Sequence, residues 1–325
     1  MEENTFQSRV DLGALSDQVA KIKSEIAKVI VGQGQMVDLL ITAILSDGHV
    51  LIEGVPGVAK TLTAKLLSKI ISVDFSRIQF TPDLMPSDVL GTSIYNLKTS
   101  EFEFKAGPIF SNLVLIDEIN RAPAKTQAAL FEVMEERQVT VDGYTHKMKS
   151  PYMVLATQNP IEQEGTYRLP EAQLDRFLFK IVVKYPELED EITILSKHQE
   201  RQGGVATQEV NPILSGEQVA ALRQFTHKVH IEPNLLRYIA QIVGETRNNP
   251  MLFLGASPRA SVAILTGSKA HALINGRDFV SPEDIKLIAL PVLRHRIVLS
   301  PEKEMEGISA DEVVSLIINK IEVPR

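Results

Sequence analysis

Cysteine is absent from the 325-residue chain, so disulfides and thiolate metal sites are excluded. The chain also lacks an uncharged apolar run of about eighteen residues, which a membrane-spanning helix would need, and we expect no membrane span. Its start, Met1-Glu2-Glu3-Asn4-Thr5-Phe6, is acidic and has no apolar core of the kind found in export signals. We therefore expect a cytoplasmic protein.

Positive charge is scarcer than negative charge. The chain has 34 lysines and arginines against 41 aspartates and glutamates, which gives a formal net charge of -7. A protein that holds duplex DNA by neutralising its phosphates needs a basic surface, so this balance disfavours nucleic acid as a partner. The hydrophobic content of 44% and the charged content of 23% are typical of soluble globular proteins.

The length accommodates a large domain and a smaller one. Apolar strand-like runs alternate with amphipathic helices as far as Pro186, a pattern typical of a parallel sheet with flanking helices. An acidic helix and a polar segment follow, and beyond them we find helix starts but no strand pattern. We therefore predict an α/β core over residues 1–186, a connecting helix and linker over 187–212, and an α-helical domain over 213–325.

One stretch of the core indicates phosphate binding. Gly54-Val55-Pro56-Gly57-Val58-Ala59-Lys60-Thr61 lies between an apolar strand and an amphipathic helix. Glycines in such a loop let backbone N–H groups converge on an anion at the helix N-terminus. Lys60 is then expected to reach the β- and γ-phosphates of a nucleotide, and the Thr61 hydroxyl to hold Mg²⁺. The simpler alternative is an ordinary strand-to-helix turn with a surface lysine.

Ala59 stands where phosphate-binding loops of this kind usually carry a glycine. An alanine forced into a left-handed conformation would cost about 1 kcal/mol or more. We therefore expect Ala59 to have right-handed helical dihedral angles, and we expect residues 54–62, which end at Leu62, to contact nucleotide.

Polar side chains follow two buried strands of the predicted sheet. Leu113-Val114-Leu115-Ile116 has the composition of a strand buried on both faces, and Asp117-Glu118 comes directly after it. In a nucleotide hydrolase we expect Asp117 to hold Mg²⁺ and Glu118 to orient the attacking water. Asn159 follows the next buried strand and is suited to hold that water or a γ-phosphate oxygen. The alternatives are solvated loop carboxylates and a turn asparagine before Pro160.

Three arginines are candidates for stabilising charge in the transition state. Arg168 and Arg176 lie shortly after these strands, and Arg259 lies at the start of a helix in the C-terminal part. From that helix Arg259 would point from the smaller domain toward a ligand bound between the domains. For each of the three, the alternative is an ordinary surface arginine.

Four segments together closely resemble the MoxR family of AAA+ ATPases: EGVPGVAKT at 53–61, LIDEINRA at 115–122, ATQNP at 156–160 and LPEAQLDRF at 169–177. The resemblance extends over about residues 30–298, and in this family alanine before the lysine is usual. It implies an α/β fold: a P-loop AAA+ core with a central parallel sheet flanked by helices, plus a C-terminal all-α lid domain.

The resemblance also assigns roles by motif. It assigns Lys60 and Thr61 to Walker A, Asp117 and Glu118 to Walker B, Asn159 to sensor 1, Arg176 to the arginine finger that reaches a neighbour's γ-phosphate, and Arg259 to sensor 2 in the lid. We expect Arg259 to reach the nucleotide bound by its own core. Val31-Gly32-Gln33 would lie against the adenine. Arg168 matches no motif role, and the sequence leaves open whether Arg176 or Arg168 is the arginine finger.

The family forms rings, commonly hexamers, with ATP and Mg²⁺ bound between neighbours. Its members are regarded as chaperones that mature partner proteins, often partners with a von Willebrand factor A domain. Hairpins predicted over residues 93–104 and 138–149 look like the helix-2 and pre-sensor-1 insertions of related motors. These assignments come from the resemblance alone.

Two other functions are compatible with a nucleotide site. One is a nucleic-acid motor of the helicase type, which the acidic balance disfavours, as does a second hairpin without aromatic side chains on which bases could stack. The other is a nucleotide-dependent switch with little turnover, which Glu118 and Arg176 disfavour.

Overall fold

The computed structural model describes residues 12–160, 167, 169–201 and 204–324. Arg168, the acidic start and residues 202–203 of the predicted linker lie outside these ranges. The helices are α1 (Leu12–Ala27), α2 (Gly34–Leu45), α3 (Lys60–Ile70), α4 (Pro86–Leu90), α5 (Ala124–Glu136), α6 (Glu171–Leu174), α7 (Leu188–Glu200), α8 (Gly216–Lys228), α9 (Pro233–Asn248), α10 (Pro258–Ile274), α11 (Pro282–Leu293), α12 (Pro301–Met305) and α13 (Ala310–Lys320). The strands are β1 (His49–Gly54), β2 (Phe75–Gln79), β3 (Gly91–Asn96), β4 (Glu101–Ala106), β5 (Leu113–Asp117), β6 (Gln138–Val141), β7 (Tyr144–Lys147), β8 (Met153–Gln158), β9 (Phe177–Val183), β10 (Leu252–Leu254) and β11 (Val298–Leu299).

Five parallel strands form the central sheet, in the order β2-β5-β8-β1-β9. β5 is buried along its whole length, and β1 and β8 are buried at all but one residue each. Burial on both faces of the sheet explains why these strands read as uninterrupted apolar runs. The prediction of a central parallel sheet flanked by helices is confirmed, and the carboxyl ends of all five strands meet at one edge.

Alternate residues of the central strands point into two separate hydrophobic clusters. Val50 and Ile52 of β1 belong to the larger cluster, whereas Leu51 belongs to the smaller one. The larger cluster joins α1, α2 and α3 to the C-terminal helices α8, α9, α10, α11 and α13, and the smaller cluster includes the apolar side of α5. The C-terminal helices therefore pack on one face of the sheet, with α10 in contact with α2.

Both predicted hairpins are present. β3 pairs with β4 and β6 with β7, each in antiparallel fashion, and the second hairpin turns at Asp142-Gly143. The two hairpins contact each other where Phe104 stacks on His146, with ring centroids 4.2 Å apart. Tyr144 in the second hairpin is 74% exposed. The expectation that this hairpin lacks an aromatic side chain on which a base could stack is therefore wrong.

The C-terminal part also contains a small β-ribbon. β10 and β11 pair in antiparallel fashion, with Leu252 beside Leu299 and Leu254 beside Val298. We expected no strand in this part of the chain, and that expectation is wrong. Strands of three and two residues are too short to show an alternating pattern in the sequence.

None of the helices in the described part of the chain is both long and apolar enough to cross a bilayer.

Candidate active site

A cavity of about 360 Å³ opens at the carboxyl edge of the sheet, beside the start of α3. Ligands bind at this edge in parallel α/β sheets. The cavity is lined by Pro56, Gly57, Ala59, Lys60, Thr61, Leu62, Arg77, Gln79, Asp117, Glu118, Thr157 and Asn159. The structure thus brings the phosphate-loop residues, the acidic pair and Asn159 to one place, and we call this place the nucleotide cavity.

The loop before α3 has a strained backbone. Gly57 has a φ of 89°, and Ala59 has a φ of 60° with a ψ of 20°, so both residues are left-handed. The expectation of right-handed angles at Ala59 is therefore wrong. An alanine in this region costs on the order of 1 kcal/mol. A left-handed residue before a right-handed helix turns successive N–H groups toward one point, which forms an anion-binding nest.

Lys60 begins α3 and folds back over the loop. Its Nζ donates hydrogen bonds to the carbonyl oxygens of Gly54 and Val55, the latter at 3.3 Å. The ammonium group thus lies near the N-terminus of α3, where the helix dipole adds positive potential. Gly54 and Val55 do not line the cavity, and neither does Val58, which is buried in the core with 6% exposure.

Asp117 ends β5 and is 7% exposed. Its Oδ1 accepts a hydrogen bond from the Thr157 hydroxyl at 3.1 Å, and its Oδ2 accepts one from Arg77 Nε at 2.6 Å. Among the described residues, no group of three or more His, Cys, Asp or Glu side chains could hold a metal ion. Mg²⁺ usually takes one or two protein oxygens and completes its shell with water and phosphate. The Thr61 hydroxyl and the Asp117 carboxylate, which line the same cavity, fit that requirement.

Glu118 is a third left-handed residue in the cavity, after Gly57 and Ala59, with a φ of 57° and a ψ of 54°. Its N–H donates to the Thr157 hydroxyl oxygen at 3.0 Å, so one threonine fixes both residues of the acidic pair. Its Oε2 accepts hydrogen bonds from Gln79 Nε2 at 2.7 Å and from Arg121 Nη1 at 2.9 Å. Before Glu118 can orient a water with both oxygens, these two donors must share or release its carboxylate.

Sequence reasoning missed several side chains of this cavity. Arg77 and Gln79 are alternate residues of β2 and therefore project from the same face of the sheet, and Gln79 is the register partner of Asp117. Two polar residues at positions i and i+2 of a strand are a visible signal. The sequence did not show that this strand lies beside β5.

Residues 31–33 lie against Lys184 and α7, near the end of β9. Gln33 Nε2 donates to the backbone oxygen of Lys184 at 3.2 Å, and Asp190 of α7 packs against Gly32, which has a φ of 74°. Lys184 follows β9, and β9 pairs with β1 just before the phosphate loop. Val31, Gly32 and Gln33 do not line the cavity, and their contact with adenine stays a prediction.

Arg176 and Arg259 lie close to each other, outside the nucleotide cavity. Arg176 Nε is 2.8 Å from Glu135 Oε2, and Arg259 Nη2 donates to Glu135 Oε1 at 3.1 Å. We call these three residues the arginine cluster. The cavity beside it is also lined by His49 and Leu178, which lie at the amino ends of β1 and β9. The cluster is therefore at the opposite edge of the sheet from the nucleotide cavity.

This placement corrects the expectation that Arg259 reaches the nucleotide of its own core. α10 begins at Pro258, and the preceding Ser257 donates a hydrogen bond from Oγ to Asp175 Oδ2 at 3.2 Å. Because Asp175 directly precedes Arg176, the first turn of α10 is anchored at the amino edge of the sheet. Arg168, the other finger candidate, lies outside the described residues.

Comparisons with known proteins agree with this geometry. Residues 49–179 match the ATPase family associated with various cellular activities (AAA), and residues 244–317 match the AAA lid domain. The uncharacterized protein YeaC of Bacillus subtilis is 48% identical over 306 residues, which cover 94% of this chain and 95% of that protein. Chaperone MoxR1 of Mycobacterium tuberculosis is 44% identical over 310 residues, which cover 93% of this chain and 81% of that protein.

A crystal structure from Cytophaga hutchinsonii, whose description proposes an ATPase, has a TM-score of 0.89 and 43% identity, and the match covers 97% of both chains. The fold therefore agrees with a solved structure, and the sequence with relatives, that extend over nearly the whole chain. The chain belongs to the MoxR family of AAA+ ATPases and is an ATPase.

Proposed function

We propose that this ATPase hydrolyses ATP with Mg²⁺ at sites shared between neighbouring copies of a ring, and that turnover remodels or matures partner proteins. The proposal of a shared site rests on the separation between the nucleotide cavity and the arginine cluster. The six residues of β1 lie between the two sheet edges, a span of roughly 20 Å. Side chains of the cluster therefore serve a nucleotide held by another copy.

Within the nucleotide cavity, each polar residue has a distinct task. The loop N–H groups and Lys60 bind the β- and γ-phosphates, and Glu118 and Asn159 orient the attacking water. Thr61 and Asp117 would hold Mg²⁺, which would supply positive charge beside those phosphates. Residues 31–33 contact the adenine from the β9 side.

The arginine cluster completes the site in trans. In a head-to-tail contact, the carboxyl edge of one copy meets the amino edge of the next, and such contacts close into rings. Arg176 and Arg259 then exchange the Glu135 carboxylate for the neighbour's γ-phosphate, where they stabilise charge that develops during transfer. We propose a ring of six copies. Within each copy, we propose that the core ends near residue 186 and that the lid begins near residue 213.

The work done by turnover is proposed from two observations. The Mycobacterium tuberculosis relative is named a chaperone. On the first hairpin, Tyr95, Leu97 and Phe102 are 46%, 86% and 73% exposed, and exposed apolar groups of this kind suit contact with another protein. We propose that the hairpins transmit lid movement to a cytoplasmic client, for which a protein with a von Willebrand factor A domain is the first candidate.

The basic test is ATP hydrolysis measured over a range of protein concentrations, with and without Mg²⁺, with sedimentation run in parallel. We expect no turnover after Mg²⁺ is chelated, and a specific activity that rises as rings assemble. Constant specific activity at concentrations where only monomers sediment would exclude a shared site. Nucleotide binding without hydrolysis at any concentration would support the switch.

The client is tested by affinity capture with Glu118→Gln, which should bind ATP and hold its partner without turnover. The matched control is Glu118→Gln combined with Lys60→Ala, which should not bind ATP. We expect proteins that are captured only by the first variant. Nuclease-sensitive capture of nucleic acid in place of protein would favour the helicase-type motor.

A further inference from the structure

Arg296 is a charged residue at the centre of the C-terminal packing. It lies between α11 and β11, and its side chain is only 4% exposed. Its guanidinium makes five hydrogen bonds: Nε to Asp175 Oδ1 at 2.7 Å, Nη1 to the carbonyls of Val292 at 2.6 Å and Leu178 at 3.2 Å, and Nη2 to the carbonyls of Phe177 at 2.6 Å and Asp175 at 3.1 Å. Four of these five bonds go to residues 175–178, the turn that carries Arg176.

Burying a guanidinium removes a charge from water, which costs free energy that an apolar side chain of the same volume does not. Burial lowers the pKa of Arg296, and the hydrogen bond and the charge of Asp175 act in the opposite direction. Apolar side chains of similar volume often stabilise a core at least as well as a buried ion pair does. What an apolar residue cannot supply is a rigid planar fork that fixes several acceptors at once. The arrangement of Arg296 is therefore better suited to positioning than to stability.

The acceptors of Arg296 lead directly to the arginine cluster. Arg296 fixes the carbonyl on each side of Arg176, those of Asp175 and Phe177. The second oxygen of Asp175 accepts from Ser257, the residue before α10, and lies 4.0 Å from Arg259 Nη1. One carboxylate thus connects the backbone of Arg176 with the helix that carries Arg259.

We propose that Arg296 is a positioning residue that acts through Asp175 to hold Arg176 and Arg259 in a fixed pair, aimed at the nucleotide of a neighbouring copy. This inference rests on the proposed shared site. Arg296 touches neither nucleotide nor water itself. Its effect on turnover comes from geometry, since displacement of a catalytic group by about 1 Å can cost on the order of 100-fold in rate.

The primary test replaces the fork but keeps the charge, with Arg296→Lys. ATP affinity should stay at the wild-type value because the nucleotide cavity is at the other edge of the sheet, while turnover falls on the order of tenfold or more. The matched control is Arg294→Lys: Arg294 is 12% exposed at its side chain, pairs with Asp311 at 2.9 Å and donates to the carbonyl of Lys180 at 3.3 Å, whereas Arg296 bonds to residues 175–178. This control should keep wild-type turnover. Wild-type turnover in Arg296→Lys would overturn the proposal.

A second readout separates positioning from general damage. Arg296→Lys subunits keep their own nucleotide cavity, so mixing them with Glu118→Gln subunits, whose arginines are intact, should restore activity. Mixing them with Arg176→Ala subunits should restore none, because both partners then have a defective arginine cluster. A co-assembled Arg296→Lys and Glu118→Gln mixture without recovery would overturn the inference.

The reference mixture is Arg176→Ala with Glu118→Gln. If the reference does not recover activity, the shared site itself is wrong, whereas recovery of the reference alone refutes only the role of Arg296. If Arg296→Lys does not fold, as judged by thermal unfolding, Asp175→Asn takes its place in the same mixtures. Asp175→Asn keeps the side-chain shape and removes the charge that Arg296 engages, and the same outcomes decide the question.

Discussion

The nucleotide cavity and the arginine cluster both combine arginines with carboxylates, but they hold them differently. In the cavity, Asp117 and Glu118 accept hydrogen bonds from neutral partners, Thr157 and Gln79, as well as from arginines. In the cluster, two guanidiniums share the single carboxylate of Glu135, whose side chain is 37% exposed. The acids of the cavity thus have several hydrogen-bond partners, whereas the two arginines of the cluster share one close carboxylate, with Asp175 farther away at 4.0 Å from Arg259.

This difference indicates which hydrogen-bond partners each region can exchange. Ion pairs on an exposed surface contribute only about 0 to 1 kcal/mol, so Glu135 is a partner that the arginines can leave. A phosphate offers them stronger, charge-assisted hydrogen bonds. Asp117 is instead held by Thr157 and Arg77, which suits a group that must keep its geometry through repeated turnover, whereas Glu118 must share or release its donors. In the proposed ring, each region supplies half of an active site, and the following predictions test that division.

The largest effect is expected for Lys60→Ala. It removes the charge that meets the phosphates but little core packing, so ATP affinity should fall by roughly 100-fold or more and turnover should be lost. The thermal unfolding midpoint without nucleotide should stay near the wild-type value. Lys65→Ala, on the exposed side of α3, is the matched control and should bind ATP normally. Unchanged affinity in Lys60→Ala would refute the assignment of the loop.

Arg176→Ala should have the second largest effect. ATP affinity should be nearly unchanged and turnover should fall on the order of 1,000-fold, because an arginine finger acts chiefly where charge develops in the transition state. Equilibrium binding and steady-state hydrolysis measure the two effects. Arg237→Ala, an exposed arginine of α9, should behave as wild type. Weakened ATP binding by an isolated Arg176→Ala monomer would place this arginine at its own nucleotide and contradict the account.

Gln79→Ala should produce a smaller effect of opposite sign. The variant removes one of the two donors that hold Glu118, a hydrogen bond that contributes about 1 kcal/mol, so basal turnover should rise by about fivefold. Gln35→Ala, exposed on α2, is the control. Turnover measured without client protein decides the case, and a loss of activity would mean that Gln79 serves the reaction directly.

The smallest effect concerns the pH dependence of the free energy of unfolding. Burial, followed by the charge of Arg137, lowers the pKa of His49 to about 3. An unfolded chain binds a proton at this residue below about pH 6.5 while the folded chain does not, so stability that is present above pH 6.5 is lost as the pH falls toward 3.

Between pH 7 and pH 5.5 this titration should remove about 1 kcal/mol of the free energy of unfolding. In His49→Gln the loss over the same pH interval should be smaller by that amount, whatever the stability of the variant at pH 7. The control His198→Gln, exposed on α7, should show the full wild-type loss. An identical pH dependence in His49→Gln and wild type would show that His49 is not the titrating group.

The phosphate loop, the acidic pair and Asn159 could be predicted because each is a local signal, a polar group directly after an apolar strand. Arg77 and Gln79 could not be assigned, because their role depends on β2 lying beside β5, and strand order leaves no local pattern. Ala59 was predicted wrongly for a different reason. Its intrinsic preference opposes the left-handed conformation, but the loop must converge its N–H groups.

The position of Arg259 shows the same limit at a larger scale. A proline at the start of α10 indicates that this arginine lies on a first helical turn. It does not indicate the sheet edge on which that turn docks. The docking depends on Ser257 and Arg296, both bonded to Asp175 across separations of 82 and 121 positions in the chain. Such contacts become visible only in the folded structure.

The most direct test of the shared site is to mix two inactive variants, Arg176→Ala and Glu118→Gln, in equal amounts. The first keeps an intact nucleotide cavity and the second keeps intact arginines. Random assembly places about one quarter of the cavities in a combination of intact cavity and intact neighbouring arginines, so we expect a comparable fraction of wild-type hydrolysis. A mixture that is shown to co-assemble but stays as inactive as its components would contradict the account.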